Sequence, residues 1–370
     1  MKCGASSVRR RPDVTRVWEL NALVTWLLGK DNQQQLEGRS ARSFRRATAW
    51  CWNVEPTIAV TGEVYDEIQL DGMRLADSWW LLIAINGTTG DTLGWQWAGS
   101  ENEVAWTALI SRFPPPRVAV TDGGTGLKAA ISKTWPETVI QRCLKHIQRN
   151  VVAQTTLNPR LDAGVVLLAL VRALLAVADL DHAVKWLADL STFKTVFAQR
   201  LNAKTLADAE GAVRPRHARV NARWWYTHYR LRRGYKLLER LARDGHLFVF
   251  LEEQFADFGP SRTTNRIEGG TNQPVRDLLY QHRGMPSDHQ RRAVEWLLFM
   301  RSYRPPPIAS LIRPEHWQPA EPSAIVHDAI PGDYGTENTI EEGLATRQGW
   351  GGRSASGFTA KRPRNNAYDG

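Results

Sequence analysis

Residues 62–86, GEVYDEIQLDGMRLADSWWLLIAIN, decide the fold. GEVYDEIQLDGMRL (62–75) reads as a strand, ADS (76–78) as a turn and WWLLIAIN (79–86) as a buried strand. NGTTGD makes the next turn and TLGWQWA (92–98) a third strand. The pattern then changes period. ENEVAWTALISRF (101–113) is helical until PPP breaks it, because proline lacks the backbone N–H that a helix needs. RVAVTDGG (117–124) is a short strand ending in a turn, TGLKAAISKTW (125–135) a helix, and TVIQRCLKHIQRNV (138–151) a strand passing into a helix. Three meandering strands followed by alternating helix and strand predict an α/β fold with a mixed sheet.

Upstream, residues 1–13 are polar and basic. From Thr15, helical spacing links Val17, Leu20, Leu23, Val24, Leu27 and Leu28, with Gly29 as cap or turn. A second helix from Ser40 runs through Phe44, Ala47 and Trp50, with Arg39, Arg42, Arg45 and Arg46 on its other face. The pair reads either as a DNA-binding helix-turn-helix or as a plain helical hairpin with solvated arginines. Downstream, residues 160–250 read as almost entirely helical. Within them, residues 214–243 hold ten Lys or Arg against one acidic residue, Glu239. Residues 262–300 return to helical spacing, and the remainder after Tyr303 lacks periodicity and reads as largely disordered.

The 370 residues carry a net charge of +10, which points to an acidic partner, nucleic acid before an anionic membrane surface. No apolar run reaches the roughly 18 to 20 residues needed to span a bilayer. Three cysteines cannot form a disulfide framework and fit a reducing cytosol. The 16 Trp are unusual; such rings pack cores and also stack on bases.

The chemistry is expected where strands end. Asp71 lies in the first strand and Asp122 ends the fourth; in open α/β sheets, sites gather at the carboxyl ends of strands. If those strands are neighbours, the two carboxylates share one spot and repel unless a cation lies between them. Mg²⁺ suits such oxygen ligands, and a third carboxylate would complete a site for two ions, the arrangement used in phosphodiester chemistry. The bland alternative is that each is an Asp-Gly turn residue. Asp66 and Glu67 compete with Asp71 for the first position. Cys143 and His146 form a Cys-x-x-His pair, too few ligands for structural zinc. The reading preferred for that segment is a positioned helix start, with Lys145 and Arg149 near substrate phosphates. Residues 214–243 interleave basic and aromatic side chains, among them Arg223, Trp224, Arg230, Arg232 and Arg233. The alternatives are a core helix with Trp224 and Tyr235 inside, and a DNA-tracking surface. GGTGLK lacks the spacing of a nucleotide-binding P-loop.

Four segments taken together, LDGMRLADSWWLLIAI, VAVTDGGTGLKAAI, QRCLKHIQRNV and RTTNRIEGGTNQPVR, resemble in order the catalytic blocks of Mutator-like DDE transposases of bacterial insertion sequences. The resemblance spans about residues 60–302. It implies a ribonuclease-H-like core with an all-helical insertion, preceded by a small helix-turn-helix-like domain. It implies Asp71, Asp122 and Glu268 as catalytic metal ligands for two Mg²⁺ or Mn²⁺ ions, with Asn265 and Arg266 beside Glu268 in its block. The expected organisation is a remnant at 1–14, a helical DNA-binding domain at 15–58, the core at 59–158, the insertion at 159–258, final core helices at 259–303 and a tail at 304–370. The implied partner is double-stranded DNA, as terminal inverted repeats and target, bound by a homodimer or larger assembly in the cytoplasm at the nucleoid. A metal-dependent nuclease without strand transfer and an inactive DNA-binding derivative are the alternatives. Met1–Arg11 resembles the end of a zinc ribbon left with Cys3 alone, so no zinc is expected there.

Overall fold

The computed structural model describes residues 12–33, 40–76 and 79–317. Residues 1–11 and 318–370, which hold most of the expected disordered ends, lie outside the described residues, as do 34–39 and 77–78, the latter part of the expected ADS turn.

The sheet comprises β1 (Glu67–Ala76), β2 (Trp79–Asn86), β3 (Thr92–Ala98), β4 (Val118–Thr121) and β5 (Val139–Arg142) in the order β3–β2–β1–β4–β5. β1 pairs antiparallel with β2, and β2 with β3, while β1, β4 and β5 run parallel. The sheet is therefore mixed. The expected start of the first strand, near Gly62, is earlier than the observed one. Just before Glu67, the Tyr65 and Asp66 carbonyls accept from the Arg117 and Val118 N–H groups.

Alternation along β2 separates two cores. Leu81, Ile83 and Ile85 join Met73 and Trp97 under α1 (Pro12–Leu28), α2 (Ala41–Ala47), α11 (Gln273–Gln281) and α12 (Ser287–Met300). Leu82 and Ala84 join Ile68 and Leu70 beneath α3 (Glu103–Ile110) and α4 (Thr125–Thr134). Trp79, Trp106, Trp135 and Trp296 are among the most fully buried side chains, so much of the tryptophan excess is core packing. Truncating such a ring typically costs about 3–5 kcal/mol.

Local chemistry sets the helix starts. Asn102 caps α3 by accepting from the Ala105 N–H at 2.9 Å, and Ser40 caps α2 from Ser43 at 3.2 Å. α1 begins at Pro12, earlier than Thr15, with Asp13 in its first turn where a negative charge meets the helix dipole. Residues 308–311 and 314–316 form short 3₁₀ turns, and Ile308, Leu311, Ile312 and Trp317 pack on the first core. The expectation that regular structure ends at Tyr303 is therefore corrected for residues 308–317.

A third core unites α5 (Leu144–Thr155), α6 (Asp162–Leu174), α7 (Leu180–Val196) and α9 (Tyr229–Arg243). The expectation of almost continuous helix over 160–250 needs correction. A short α8 (Ala198–Asn202) leads into a hairpin of β6 (Lys204–Leu206) and β7 (Trp224–Tyr226), joined by irregular backbone. Trp224 is thus a strand residue, 41% exposed with Lys204 over its ring, not a core helix residue; Tyr235 is buried in α9. Among the described residues, no helix is long and apolar enough to cross a membrane.

Candidate active site

Strand register brings the two aspartates together. The parallel pairing of β1 with β4 ends at Leu70↔Thr121, so Asp71 and Asp122 are the next residues along adjacent chains, about 4.8 Å apart in such ladders. β5 ends beside them at Thr121↔Arg142, and the Cys143 N–H donates to the Thr121 carbonyl at 2.8 Å. Asp71, Asp122 and Cys143 thus lie together where the parallel ladders end, while β1 runs on beside β2 to Ala76. Asp66 and Glu67 are elsewhere: Asp66 pairs with Arg117 at 3.1 Å, and buried Glu67 accepts from Gln69 and the Ser261 N–H.

Asp71 is only 7% exposed. Burial first, and then the charge of Asp122, push its carboxyl up to about 7, against His146 and a 2.6 Å hydrogen bond from Asn272. Glu268 adds to the repulsion and so lies within electrostatic reach. A fourth carboxylate, Glu101, stands behind Asp122. A Cβ on Gly124 would lie 3.0 Å from its Oε1, and one on Gly72 3.2 Å. Burial, reinforced by Asp122, raises the Glu101 carboxyl, although Trp106 donates to it at 3.2 Å.

Glu268 is carried by an interrupted helix. α10 (Asn265–Ile267) passes into a π-helical turn, Glu268–Asn272, and then α11. The cause is local. Pro274 has no N–H to offer the Gly270 carbonyl, which accepts from Arg301 instead, while the Gln273 N–H reaches back to Glu268 in the wider π spacing. Asn265 and Arg266 are both exposed beside this turn.

Around Glu268, Thr264 Oγ1 donates to Oε1 at 2.8 Å and Arg149 to Oε2 at 3.1 Å; His146 Nδ1 is 3.7 Å from Oε1. Burial works against ionisation of Glu268, but Thr264, His146 and Arg149 outweigh it and hold its carboxyl below the usual range. Cys143 Sγ accepts from the Thr264 N–H at 3.3 Å and lies 3.2 Å from its hydroxyl oxygen. Burial would raise this thiol, yet hydrogen bonds from His146 and Thr264 bring it below its ordinary value. The bond to Cys143 in turn raises His146, against burial, with Glu268 and Asp71 assisting.

Donor atoms of Cys143, His146 and Glu268 lie within 4.8 Å of one another. The Cys-x-x-His pair therefore gains a third possible ligand, of softer character than an all-oxygen set. Asp71 and Asp122 offer hard oxygens whose mutual repulsion a divalent cation would relieve, which fits Mg²⁺ or Mn²⁺.

The expected DNA-contacting residues are spread out. Lys145 is exposed on α5, and Arg149 of the same helix is tied to Glu268. Arg42, Arg45 and Arg46 are exposed on α2, a helix of seven residues. Arg223 is exposed at the foot of β7. On α9, Arg230 donates to the Ala153 carbonyl, and Arg232 donates to Leu201 and Asn202 with its guanidinium 4.0 Å over Tyr226. Arg233 is exposed without an ion-pair partner among the described residues. Sequence reasoning missed Glu101, Thr264 and Asn272. It also missed Arg142, buried beneath Gly123, where it donates to the Asp122 carbonyl. For Arg142, burial lowers the guanidinium and nearby Arg240 adds to that, against the pull of Asp122.

The family model described as "Transposase, Mutator family" matches residues 73–253, a span that includes Asp122, Cys143 and His146 but neither Asp71 nor Glu268. Among curated proteins, the transposase for insertion sequence element IS1201 of Lactobacillus helveticus is 34% identical over 68 residues, covering 17% of this chain and 18% of that protein. The transposase for insertion sequence element IS905 of Lactococcus lactis subsp. lactis (strain IL1403) is 35% identical over 80 residues, covering 20% of each. The chain spans about a fifth of the length of these curated relatives. Over residues 73–253 the chain is thus similar to the Mutator family of transposases.

Proposed function

We propose that this chain is a DNA transposase that cuts phosphodiester bonds at element ends and joins the freed 3′-hydroxyl to target DNA. The observation that carries the reading is the adjacency of Asp71 and Asp122 directly after the last residue pair of the parallel β1–β4 ladder, with Glu268 in electrostatic reach. The sheet order β3–β2–β1–β4–β5, with its antiparallel meander and two parallel strands, supports a ribonuclease-H-like core. The helices that follow β5 support an inserted helical subdomain.

Asp71, Asp122 and Glu268 would hold two Mg²⁺ or Mn²⁺ ions. Such ions supply Lewis acidity to the phosphoryl group and to the attacking and departing oxygens. The chain's own work is positioning. Asn272 orients Asp71, Thr264 and Arg149 orient Glu268, and the π-helical turn sets where the Glu268 carboxylate enters. Cationic side chains on α2, α5 and α9 would contact double-stranded DNA, both element ends and target, and a homodimer or larger assembly would pair two ends.

The test uses the purified full chain and a plasmid carrying the element's own ends. Cleavage at those ends in Mg²⁺, lost in EDTA and in Asp122→Asn, is the expected result. Product joined to a second DNA separates transposition from simple cutting. No cleavage in Mg²⁺ or Mn²⁺, or cleavage unaffected by Asp122→Asn, would overturn the reading.

A further inference from the structure

A cleft of about 450 Å³ opens between α5 and α9, and Gly123, directly after Asp122, is among the residues that line it. Its walls carry Asn150 and Gln154 from α5 and Arg233, Lys236 and Arg240 from α9, with Arg142 at its floor. The α9 residues fall three and four apart and so share one helical face. No carboxylate lines the cleft. Glu239, near its rim, is occupied by Lys236 and Lys194. Among the described residues, neither Arg233 nor Arg240 has an ion-pair partner.

Arg142 makes the cleft a built site. It is only 7% exposed, and its Nε has no hydrogen-bond partner among the described residues. A buried N–H of a charged group is normally satisfied, so this one lacks an acceptor. Gly123 gives it room. With φ at +88°, and with a Cβ there falling 1.6 Å from the Arg142 Cζ, only glycine lets the guanidinium lie against the backbone directly after Asp122.

We propose that this cleft seats backbone phosphates of the DNA strand entering the site, with Arg142 as the anchoring donor and Arg233, Lys236 and Arg240 as the flanking cations. The ligand class is a phosphodiester, recognised without regard to sequence. Of the four cations Lys236 alone has an ion-pair partner among the described residues, Glu239; the crowded positive charges repel, and a polyanion passing between them removes that repulsion while releasing its own counterions. The assignment rests on the transposase reading for the direction of the strand, but the binding itself does not require catalysis.

The experiment measures binding in EDTA, so chemistry does not enter. Arg233→Ala/Arg240→Ala changes two exposed side chains without ion-pair partners and should melt like the wild type. Fluorescence anisotropy of a labelled duplex carrying the element end is followed between about 50 and 200 mM salt. The slope of log affinity against log salt should become shallower by about two, nearly one for each phosphate that loses its cation. Lys133→Ala/Lys185→Ala removes the same charge from exposed sites on α4 and α7 and should leave the slope in place. An unchanged slope in the α9 variant, an equal change in the control, or no DNA binding by the wild type would overturn the proposal. So would inorganic phosphate binding that is lost in the α9 variant while its DNA slope stays intact, which would mark a free-anion site. A wild type that fails to cleave in Mg²⁺ while the α9 slope change persists would sink the transposase reading and leave the cleft standing.

Discussion

Asp122 stands between two regions of opposite charge built by different means. On one side, Asp71, Asp122 and Glu101 crowd carboxylates where the parallel ladders end; on the other, Arg142, Arg233, Lys236 and Arg240 crowd cations between two helices. Each region is unfavourable alone, and each is what the other's ligand would need: cations for the acids, phosphates for the bases. The acidic side is made by strand register, in which one hydrogen-bonded ladder fixes two side chains at once. The basic side is made by helix packing, in which residues more than eighty positions apart meet. The most direct break in the comparison is to remove its shared member. Asp122→Asn should lower cleavage by about 10³-fold or more, the order seen when one strong electrostatic interaction with the reacting group is removed. Folding should survive, because the side chain is no part of a hydrophobic core, and the metal-free protein should hold or gain stability as repulsion on Asp71 falls. A melt and a plasmid assay on the same preparation check both halves.

The repulsion on the acidic side is also visible without DNA. Asp71 is pushed up to about 7 in the folded chain and returns to the ordinary carboxylate range on unfolding. Between those values the folded state holds the proton more tightly than the unfolded one. The metal-free protein therefore loses stability as pH rises from about 4 through 7, by an amount on the order of a few kcal/mol. Asp71→Asn should flatten that decline in thermal melts between about pH 4 and 8. A wild-type curve that stays level across the window would contradict the buried, repelled carboxylate.

A smaller effect sharpens how the third carboxylate is aimed. Pro274→Ala restores the N–H that the Gly270 carbonyl lacks and lets the α-helical bond close. The π-helical turn should then relax and shift Glu268. Cleavage should fall by up to about 10²-fold, since displacements near 1 Å are that costly to reaction geometry. Stability should hold or rise, because a helix-interior proline is removed. Retained cleavage would show that the wider turn has no part in placing Glu268.

How far these features can be read in the sequence follows the same division. Within the sheet, alternation and buried apolar runs locate β2 to within its observed ends, and the Asp-Gly dipeptide after β4 marks a strand end. Glu268 rests on the ordered motif blocks, since nothing in its own neighbourhood distinguishes it from a helix-surface acid. The hairpin of β6 and β7 escapes because three-residue strands leave no period to detect, and Trp224 consequently reads as a residue of a helix. Arg142 and Glu101 escape for another reason. Each has an ordinary surface-type side chain whose burial arises only when the chain closes over it, Arg142 beneath Gly123 and Glu101 behind Gly124. Asn272 gives a possible signal, a polar residue at a core position of a helical stretch, but its bond to Asp71 depends on the π spacing.

The finest cut separates the carboxylate end from the Cys143–His146 segment that adjoins it. Thr264 joins them, its hydroxyl donating to Glu268 Oε1 at 2.8 Å and lying 3.2 Å from Cys143 Sγ, while its N–H reaches the same sulfur. Thr264→Val keeps the shape and the backbone bond but deletes the hydroxyl. Glu268 keeps Arg149, so the carboxylate stays in place with one orienting partner fewer. Outer interactions of this kind typically shift metal affinity by about 10- to 100-fold, and the surviving Arg149 bond argues for the lower end. The expected outcome is a rise of about tenfold in the Mg²⁺ concentration giving half-maximal cleavage, with little change in the rate at saturating metal. A lowered rate at every Mg²⁺ concentration, with an unchanged midpoint, would instead assign Thr264 to the cysteine side, holding the start of α5 rather than the acidic ligand.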